Sequence, residues 1–93
     1  MAQFAAIVTF DQEAPRLQVR PTHREYLQRL LDEGKLFASG PWQDDSGALI
    51  IYEAADEAEA RALLDADPYS KTAGVIKAVE IKAWNRVYLA GSS

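Results

Sequence analysis

The chain has 93 residues, 48% of them hydrophobic and 26% charged, a composition that indicates one ordinary globular domain over residues 1–93. Its net charge of −4 disfavours a nucleic-acid partner, because phosphate backbones attract the opposite sign. It has no cysteine and one histidine, which excludes disulfides and makes a metal site unexpected. The sequence has neither a signal-peptide pattern nor an apolar run of membrane-spanning length, so we expect a cytoplasmic protein with no membrane partner.

The first elements are a strand and a helix. Residues 3–10 are apolar and partly β-branched, which predicts a central strand that Asp11 ends. Apolar and aromatic residues then recur at helical spacing, which predicts an amphipathic helix that stops at Gly34. The helix begins at Pro15 or Pro21, because either proline suits the first helical position. The predicted inward positions are Val19, His23, Tyr26, Leu27, Leu30 and Leu31.

A hairpin and a second helix follow. Residues 36–42 and 48–53 have the composition of two strands, and the polar turn at residues 43–47 joins them. Asp56 is a suitable N-cap for the second helix, and Glu59, three residues later, completes a capping box. The predicted buried positions of this helix are Ala55, Ala58, Ala62 and Leu63.

The last part of the chain predicts a short turn, a strand and a tail. The turn covers residues 68–71, the strand covers residues 75–87 and the loose tail covers residues 90–93.

The resulting order of elements, β-α-β-β-α-β, is the ferredoxin-like arrangement of an α+β protein. Right-handed crossovers place both helices on one face of the sheet. A second copy is the simplest cover for the other face, so we expect a homodimer.

The single histidine, His23, is the first candidate for chemistry. On the apolar side of its helix it is either a structural side chain with a hydrogen-bond partner or a proton carrier. A place early in the helix would favour a neutral imidazole able to act as a base, because the helix dipole is positive there. Asp67 is its expected partner, either orienting the ring or only capping the turn that Pro68 begins.

Four further side chains are candidates for binding a substrate. Arg20 and Arg24 lie one helical turn apart beside His23 and suit an anionic group, although a solvated helix face explains them as well. Ser39 precedes a glycine-proline turn without a nucleophile motif, and Tyr69 is either an aromatic pocket wall or part of the core. The sequence has no Walker, dinucleotide-binding or RNA-binding motif, so we expect neither a cofactor nor a nucleic acid.

Several short runs resemble the YCII-related domain family. In chain order they are Val19-Arg20-Pro21-Thr22-His23, Asp32-Glu33-Gly34-Lys35-Leu36, Ser39-Gly40-Pro41, Asp65-Ala66-Asp67-Pro68-Tyr69 and Ala73-Gly74-Val75. The Arg-x-x-His and Asp-Pro-Tyr elements are the specific parts, and the resemblance extends over nearly the whole chain. It departs from the family in the short stretch between Gly40-Pro41 and the third strand, where a longer form would cover a cleft.

The resemblance implies a dimeric α+β barrel in which two sheets pack face to face. It also implies an active site formed by a histidine and an aspartate, which correspond to His23 and Asp67. Relatives include a dehydrochlorinase acting on a chlorinated aromatic diol, and the fold is similar to that of muconolactone isomerases. His23 and Asp67 can meet only if the first helix starts near Pro15, or if the Asp-Pro-Tyr segment folds back.

The function that we expect is proton transfer without a cofactor, as in a lyase or isomerase acting on a small anionic or aromatic molecule. His23 would carry the proton, Asp67 would orient it, and an arginine would bind the anion. Two alternatives stay open at this point. One is a non-catalytic dimeric module that binds a small ligand or regulates, and the other is an interaction partner of a larger enzyme.

Overall fold

A computed structural model gives the fold of the chain and describes residues 1–91. The elements in chain order are β1 (Ala2–Phe10), α1 (Glu13–Asp32), β2 (Leu36–Pro41), β3 (Gly47–Ala54), α2 (Glu57–Asp65), α3 (Pro68–Lys71) and β4 (Ile76–Trp84). The strands form one antiparallel sheet in the order β2-β3-β1-β4. The predicted α+β, ferredoxin-like order is confirmed, with the single-turn helix α3 in the place of the predicted turn.

The last strand is shorter than predicted. It ends at Trp84, which pairs with Gln3, so only Ala2 of β1 precedes the final pair. The alternation that predicted a strand up to Val87 continues in the sequence after Trp84. Strand β1 offers no further partner there, so β4 ends. Of the tail expected at residues 90–93, the last two residues lie outside the part of the chain that the structure describes.

Helix α1 begins at Glu13, ahead of both prolines considered as its start. Pro15 lies in the first turn, where a backbone N–H has no partner within the helix, so its ring costs no hydrogen bond. Pro21 lies inside the helix. The early start places His23 ten residues from the first helical residue, about 15 Å along the axis. The dipole argument for a neutral His23 therefore fails, because that field acts mainly within the first turn.

The core lies between the helices and one face of the sheet. From the sheet it takes alternate residues of β1, namely Phe4, Ala6 and Val8, together with Ile50 and Tyr52 of β3. From the helices it takes Tyr26, Leu30, Ala60 and Leu64. Along α1, Leu31 is instead exposed, although it was predicted to face inward.

The predicted alanine stripe of α2 is wrong. Ala58 and Ala62 are exposed, whereas Ala60 and Leu64 are buried and Leu63 is partly buried. Both sets of positions have helical spacing, and the face that carries Ala60 and Leu64 is the one that packs into the core. The predicted cap is confirmed: Asp56 accepts a hydrogen bond from the Glu59 N–H at 2.9 Å.

No helix of residues 1–91 packs on the second face of the sheet. It carries Ile7, Leu49 and Ile51 at its centre and Trp84 near one end. The Trp84 ring contacts that of Phe37 at a centroid separation of 6.3 Å. We name this surface the open sheet face. No helix in the described part of the chain is long and apolar enough to span a membrane.

Candidate active site

The two residues proposed for chemistry are in direct contact. The Nδ1 atom of His23 lies 2.7 Å from Oδ1 and 3.0 Å from Oδ2 of Asp67, and both side chains are buried. His23 comes from the middle of α1, and Asp67 is the N-cap of α3. The chain therefore joins two residues that are 44 positions apart in sequence.

The contact depends on how the chain turns after α2. The Asp67 N–H donates to the Leu64 carbonyl at 3.0 Å, and the Ser70 hydroxyl donates to the same carbonyl at 2.7 Å. These bonds hold α3 against the end of α2 and direct it toward α1. Both conditions for the meeting of His23 and Asp67 are thus fulfilled, the early helix start and the fold back.

Asp67 has a capping role as well as a role toward the histidine. Its Oδ1 accepts a hydrogen bond from the Tyr69 N–H at 2.9 Å while it also contacts the ring of His23. The capping and orienting interpretations of this aspartate are therefore compatible, because one carboxylate has enough lone pairs for both bonds.

Asp67 determines which ring nitrogen of His23 carries the proton. An ionised carboxylate only accepts hydrogen bonds, so the Nδ1–H donates to it and the lone pair of a neutral ring stays on Nε2. Within residues 1–91 Nε2 makes no hydrogen bond, and the side chain keeps 11% of its surface exposed. The arrangement is that of a base with a free nitrogen held in place by a carboxylate.

A row of stacked groups extends from His23 toward the start of α1. Tyr69 lies parallel to the His23 ring at a centroid separation of 3.7 Å. Phe10 meets Tyr69 edge to face at 5.7 Å, and the guanidinium of Arg16 lies 4.7 Å from the centre of the Phe10 ring. Phe10 is at the end of β1, next to a register shift between Thr9 and Phe10.

The hydroxyl of Tyr69 lies in a positive field. Burial raises the pKa of Tyr69, and three guanidinium groups act in the opposite direction, those of Arg16, Arg20 and Arg24. These groups lower the pKa because a nearby positive charge favours the phenolate. In a chain with a net charge of −4, this end of α1 is therefore a local concentration of positive charge. Both predicted arginines belong to it.

Arg16 was missed by the sequence analysis. It is 4% exposed, and its Nη2 lies 3.0 Å from Oδ2 of Asp45, whereas Glu13 lies further away at 3.9 Å. A usable signal is present in the spacing, because Arg16 precedes Arg20 by four residues and His23 by seven, which places the three on one helix face.

Ser39 is not brought together with the histidine. It is exposed on β2 and lines a hollow of about 240 Å³ with Trp42 and Ile51, among others, at the edge of the open sheet face. The residues lining that hollow do not include His23, Asp67 or a predicted arginine. Within residues 1–91, no group of three or more imidazole and carboxylate side chains has the geometry of a metal site.

Comparison with known proteins establishes the family. The model of the YCII-related domain matches residues 2–85, nearly the whole chain. This protein belongs to the YCII-related domain family. Among members of known sequence, Protein YciI of Escherichia coli O6:H1 is 39% identical over 88 residues, covering 84% of this chain and 89% of that protein. Protein YciI of Shigella flexneri matches to the same extent.

A solved structure links the YCII fold to a reaction. The 5-chloro-2-hydroxyhydroquinone dehydrochlorinase TftG of Burkholderia phenoliruptrix AC1100, in complex with 2,5-dihydroxybenzoquinone, is similar with a TM-score of 0.72 and 25% identity. The match covers 89% of this chain and 93% of that one. That relative is a lyase-like enzyme acting on a small aromatic molecule, and its structure holds a small quinone ligand.

Proposed function

We propose that this protein is a cofactorless lyase or isomerase that moves a proton on a small anionic or aromatic molecule. His23 carries the proton on Nε2, and Asp67 orients the ring through Nδ1. The contact between Nδ1 and the Asp67 carboxylate, at 2.7 Å, is the observation on which the proposal mainly rests. A neutral histidine held in this tautomer is a common general base.

The surroundings of His23 are consistent with this type of substrate. Tyr69 provides a flat aromatic wall at the face of the His23 ring, and Arg20 and Arg24 supply positive charge for an anionic group. The reaction of the similar dehydrochlorinase is of the same chemical kind, since the removal of HCl requires a base that accepts a proton as chloride leaves. We therefore choose its substrate class as the first to test.

The test is chloride release from 5-chloro-2-hydroxyhydroquinone by the purified protein. In the His23→Gln variant, kcat is expected to fall by about 100- to 10,000-fold, the usual contribution of a positioned acid or base. Thr22→Ala is the matched control, because Thr22 is the exposed neighbour of His23 on the same helix, and its turnover should equal that of the wild type.

Equal turnover in the His23→Gln variant and the wild type would exclude the proton-carrying role. If the protein turns over none of a panel of halogenated and hydroxylated rings but binds 2,5-dihydroxybenzoquinone, the non-catalytic ligand-binding module is favoured instead.

We also propose that the protein is a homodimer formed through the open sheet face and that it works in the cytoplasm. The apolar centre of that face, where Ile7 is exposed and Leu49 partly exposed, supports an interface between two copies. Sedimentation tests the dimer, and fractionation of the source cells tests the location.

A further inference from the structure

Arg16 is buried to a degree that is unusual for an arginine. Its side chain is 5% exposed, and arginine is seldom fully buried without a complete set of partners. Its Nη2 binds one oxygen of Asp45 at 3.0 Å, and its Nε is fully buried without any hydrogen-bond partner in the described residues. A buried donor without a partner is costly, so its retention calls for an explanation.

The unpaired atom lies on the same edge of the guanidinium as the paired one. Nε and Nη2 form the side edge of an arginine, and a planar group with two oxygens can accept from both at once. Asp45 uses only the Nη2 half of this edge. The edge of Arg16 is therefore half occupied, by a carboxylate that belongs to an exposed loop.

The loop between β2 and β3 holds Asp45 in place by its own hydrogen bonds. Asp44 accepts from both the N–H and the hydroxyl of Ser46, and the Asp45 N–H donates to the Trp42 carbonyl at 2.9 Å. Asp45 has a φ of 65°, in the left-handed region that aspartate tolerates better than most residues. Its carboxylate reaches Arg16 from the surface, with 48% of the Asp45 side chain exposed, so a ligand that displaces it approaches from the solvent side.

We propose that the Nε–Nη2 edge of Arg16 binds a pair of ionised or carbonyl oxygens of the substrate, and that Asp45 occupies this edge until the substrate displaces it. The ligand class is a small aromatic or quinonoid anion with two neighbouring oxygens, or an aromatic carboxylate. The inference rests on the proposed function, because it places the anionic end of the substrate at one end of the row that leads to His23.

The position of Arg16 fits this ligand size. Arg16 and His23 are seven residues apart on one helix, so their Cα atoms are separated by about 10 Å along its axis. This is the scale of one substituted aromatic ring that is hydrogen-bonded at both ends. The rings of Phe10 and Tyr69 fill the space between the two side chains, so a flat ligand would lie alongside this row and pack against it.

The test is equilibrium binding of 2,5-dihydroxybenzoquinone, an acidic enol with neighbouring oxygens, compared with neutral hydroquinone. We expect Arg16→Gln to weaken binding of the acidic probe by about 10- to 100-fold, the effect of losing charged hydrogen bonds. Asp45→Asn should strengthen it by about two- to fivefold, because a competing exposed ion pair is removed. Hydroquinone should respond to neither substitution.

The matched control is Arg29→Gln. Arg29 lies on the same helix, 5.1 Å from the Tyr26 ring centre and 4.0 Å from a Glu33 oxygen, but it is 64% exposed. Its substitution should leave binding of the acidic probe unchanged. In the Arg16→Gln background, the further change Asp45→Asn should not alter binding of the acidic probe. The reason is that Asp45 competes only for the Nε–Nη2 edge, which this background lacks.

Asparagine at position 45 keeps the loop backbone, since it tolerates the left-handed region as aspartate does, so this variant remains informative if Arg16→Gln fails to fold. Unchanged or weaker binding in Asp45→Asn overturns the proposal and leaves the Arg16–Asp45 pair a structural tether. The proposal is also overturned if the NMR resonance of the Arg16 Nε–H does not shift when the acidic probe or benzoate is added.

The outcomes for Arg16 and for His23 are distinguishable. His23→Gln should lose turnover yet keep the binding that depends on Arg16, whereas Arg16→Gln should lose binding first. If Asp45→Asn strengthens binding while His23→Gln keeps full turnover, the anion site stands and the proton-transfer proposal falls.

Discussion

His23 and Tyr69 lie face to face, with ring centroids 3.7 Å apart and an angle of 1° between their planes. Asp67 holds the edge of the same imidazole through Nδ1. A ring fixed on one face and one edge has little freedom about either side-chain torsion, so the direction of Nε2 is set before any ligand arrives. Such preorganisation is what a positioned acid or base requires.

The tautomer of His23 gives a direct test of its contact with Asp67. In the wild type we expect the neutral ring to carry its proton on Nδ1, as read from the ¹⁵N chemical shifts of the two ring nitrogens. In Asp67→Asn an amide NH₂ competes for the position beside Nδ1, so the fraction with the proton on Nε2 should rise. Asp65→Asn, an exposed change nearby, is the control, and identical tautomers in all three proteins would contradict the contact.

The buried hydroxyl of Tyr52 predicts a loss of stability at high pH. Burial raises the pKa of Tyr52 above its ordinary value of 10.0, and the Asp67 carboxylate adds to the increase. Above pH 10 the unfolded chain loses this proton while the folded chain keeps it, so the free energy of unfolding falls as the pH rises. The slope from one such tyrosine reaches about 1.4 kcal/mol per pH unit.

Tyr52→Phe should reduce this slope, as measured by urea unfolding at pH 7 and pH 11. At pH 7 the same change should raise the free energy of unfolding by up to about 1 kcal/mol, because the Tyr52 hydroxyl is buried without a partner among the described residues. Tyr88→Phe, at an exposed tyrosine, is the control and should leave both values unchanged. A clear loss of stability at pH 7 in Tyr52→Phe would contradict the unpaired hydroxyl.

A charge on the open sheet face should separate the proposed dimer. Ile7 is 37% exposed there, and Leu17 is 39% exposed on α1, so the two form a matched pair. Ile7→Lys should sediment as a monomer at micromolar concentration, because an unpaired charge would be buried between the sheets. Leu17→Lys should remain dimeric. A wild-type monomer, or a dimer in both variants, would refute the proposed interface.

The close approach of Gly47 to β1 predicts a steric effect. A Cβ at Gly47 would clash with the Val8 carbonyl oxygen, whereas a Cβ at Gly40 would meet nothing within 4 Å. Gly47→Ala should lower the free energy of unfolding by about 1–3 kcal/mol, because the backbone must move. Gly40→Ala should leave it within about 0.5 kcal/mol of the wild type. Thermal and urea unfolding measure both, and equal stabilities would be inconsistent with the contact at Val8.

Much of the fold follows from local patterns in the sequence. Apolar and β-branched composition locates the first three strands, and alternation locates the last. Helical spacing locates both long helices, because that period reflects which side of the helix faces the core. The start of α1 was missed because its N-cap, Gln12, makes no side-chain capping bond, so the first turn has no capping signal. The end of β4 depends on where its partner β1 begins, and the residues of β4 do not indicate that position.

The candidate site is less predictable than the fold. His23 and Tyr69 were selected from the residues themselves and from the family resemblance, but their stacking depends on the turn at Pro68 that folds α3 back. Arg16 was missed because its burial depends on Phe10 and on Asp45, which is 29 positions away. A charged residue in the first turns of a helix is usually solvated, so the spacing from Arg20 and His23 gives its helix face but only the tertiary structure gives its burial.

One oxygen of Asp67 serves both the cap of α3 and the imidazole of His23. An aspartate at this place would consequently persist in relatives that have lost all chemistry, since its removal frays the turn that closes the domain. Its presence is therefore poor evidence of activity when uncharacterised members are sorted into enzymes and binding proteins. The histidine, which the backbone does not need, is the more informative marker for that purpose.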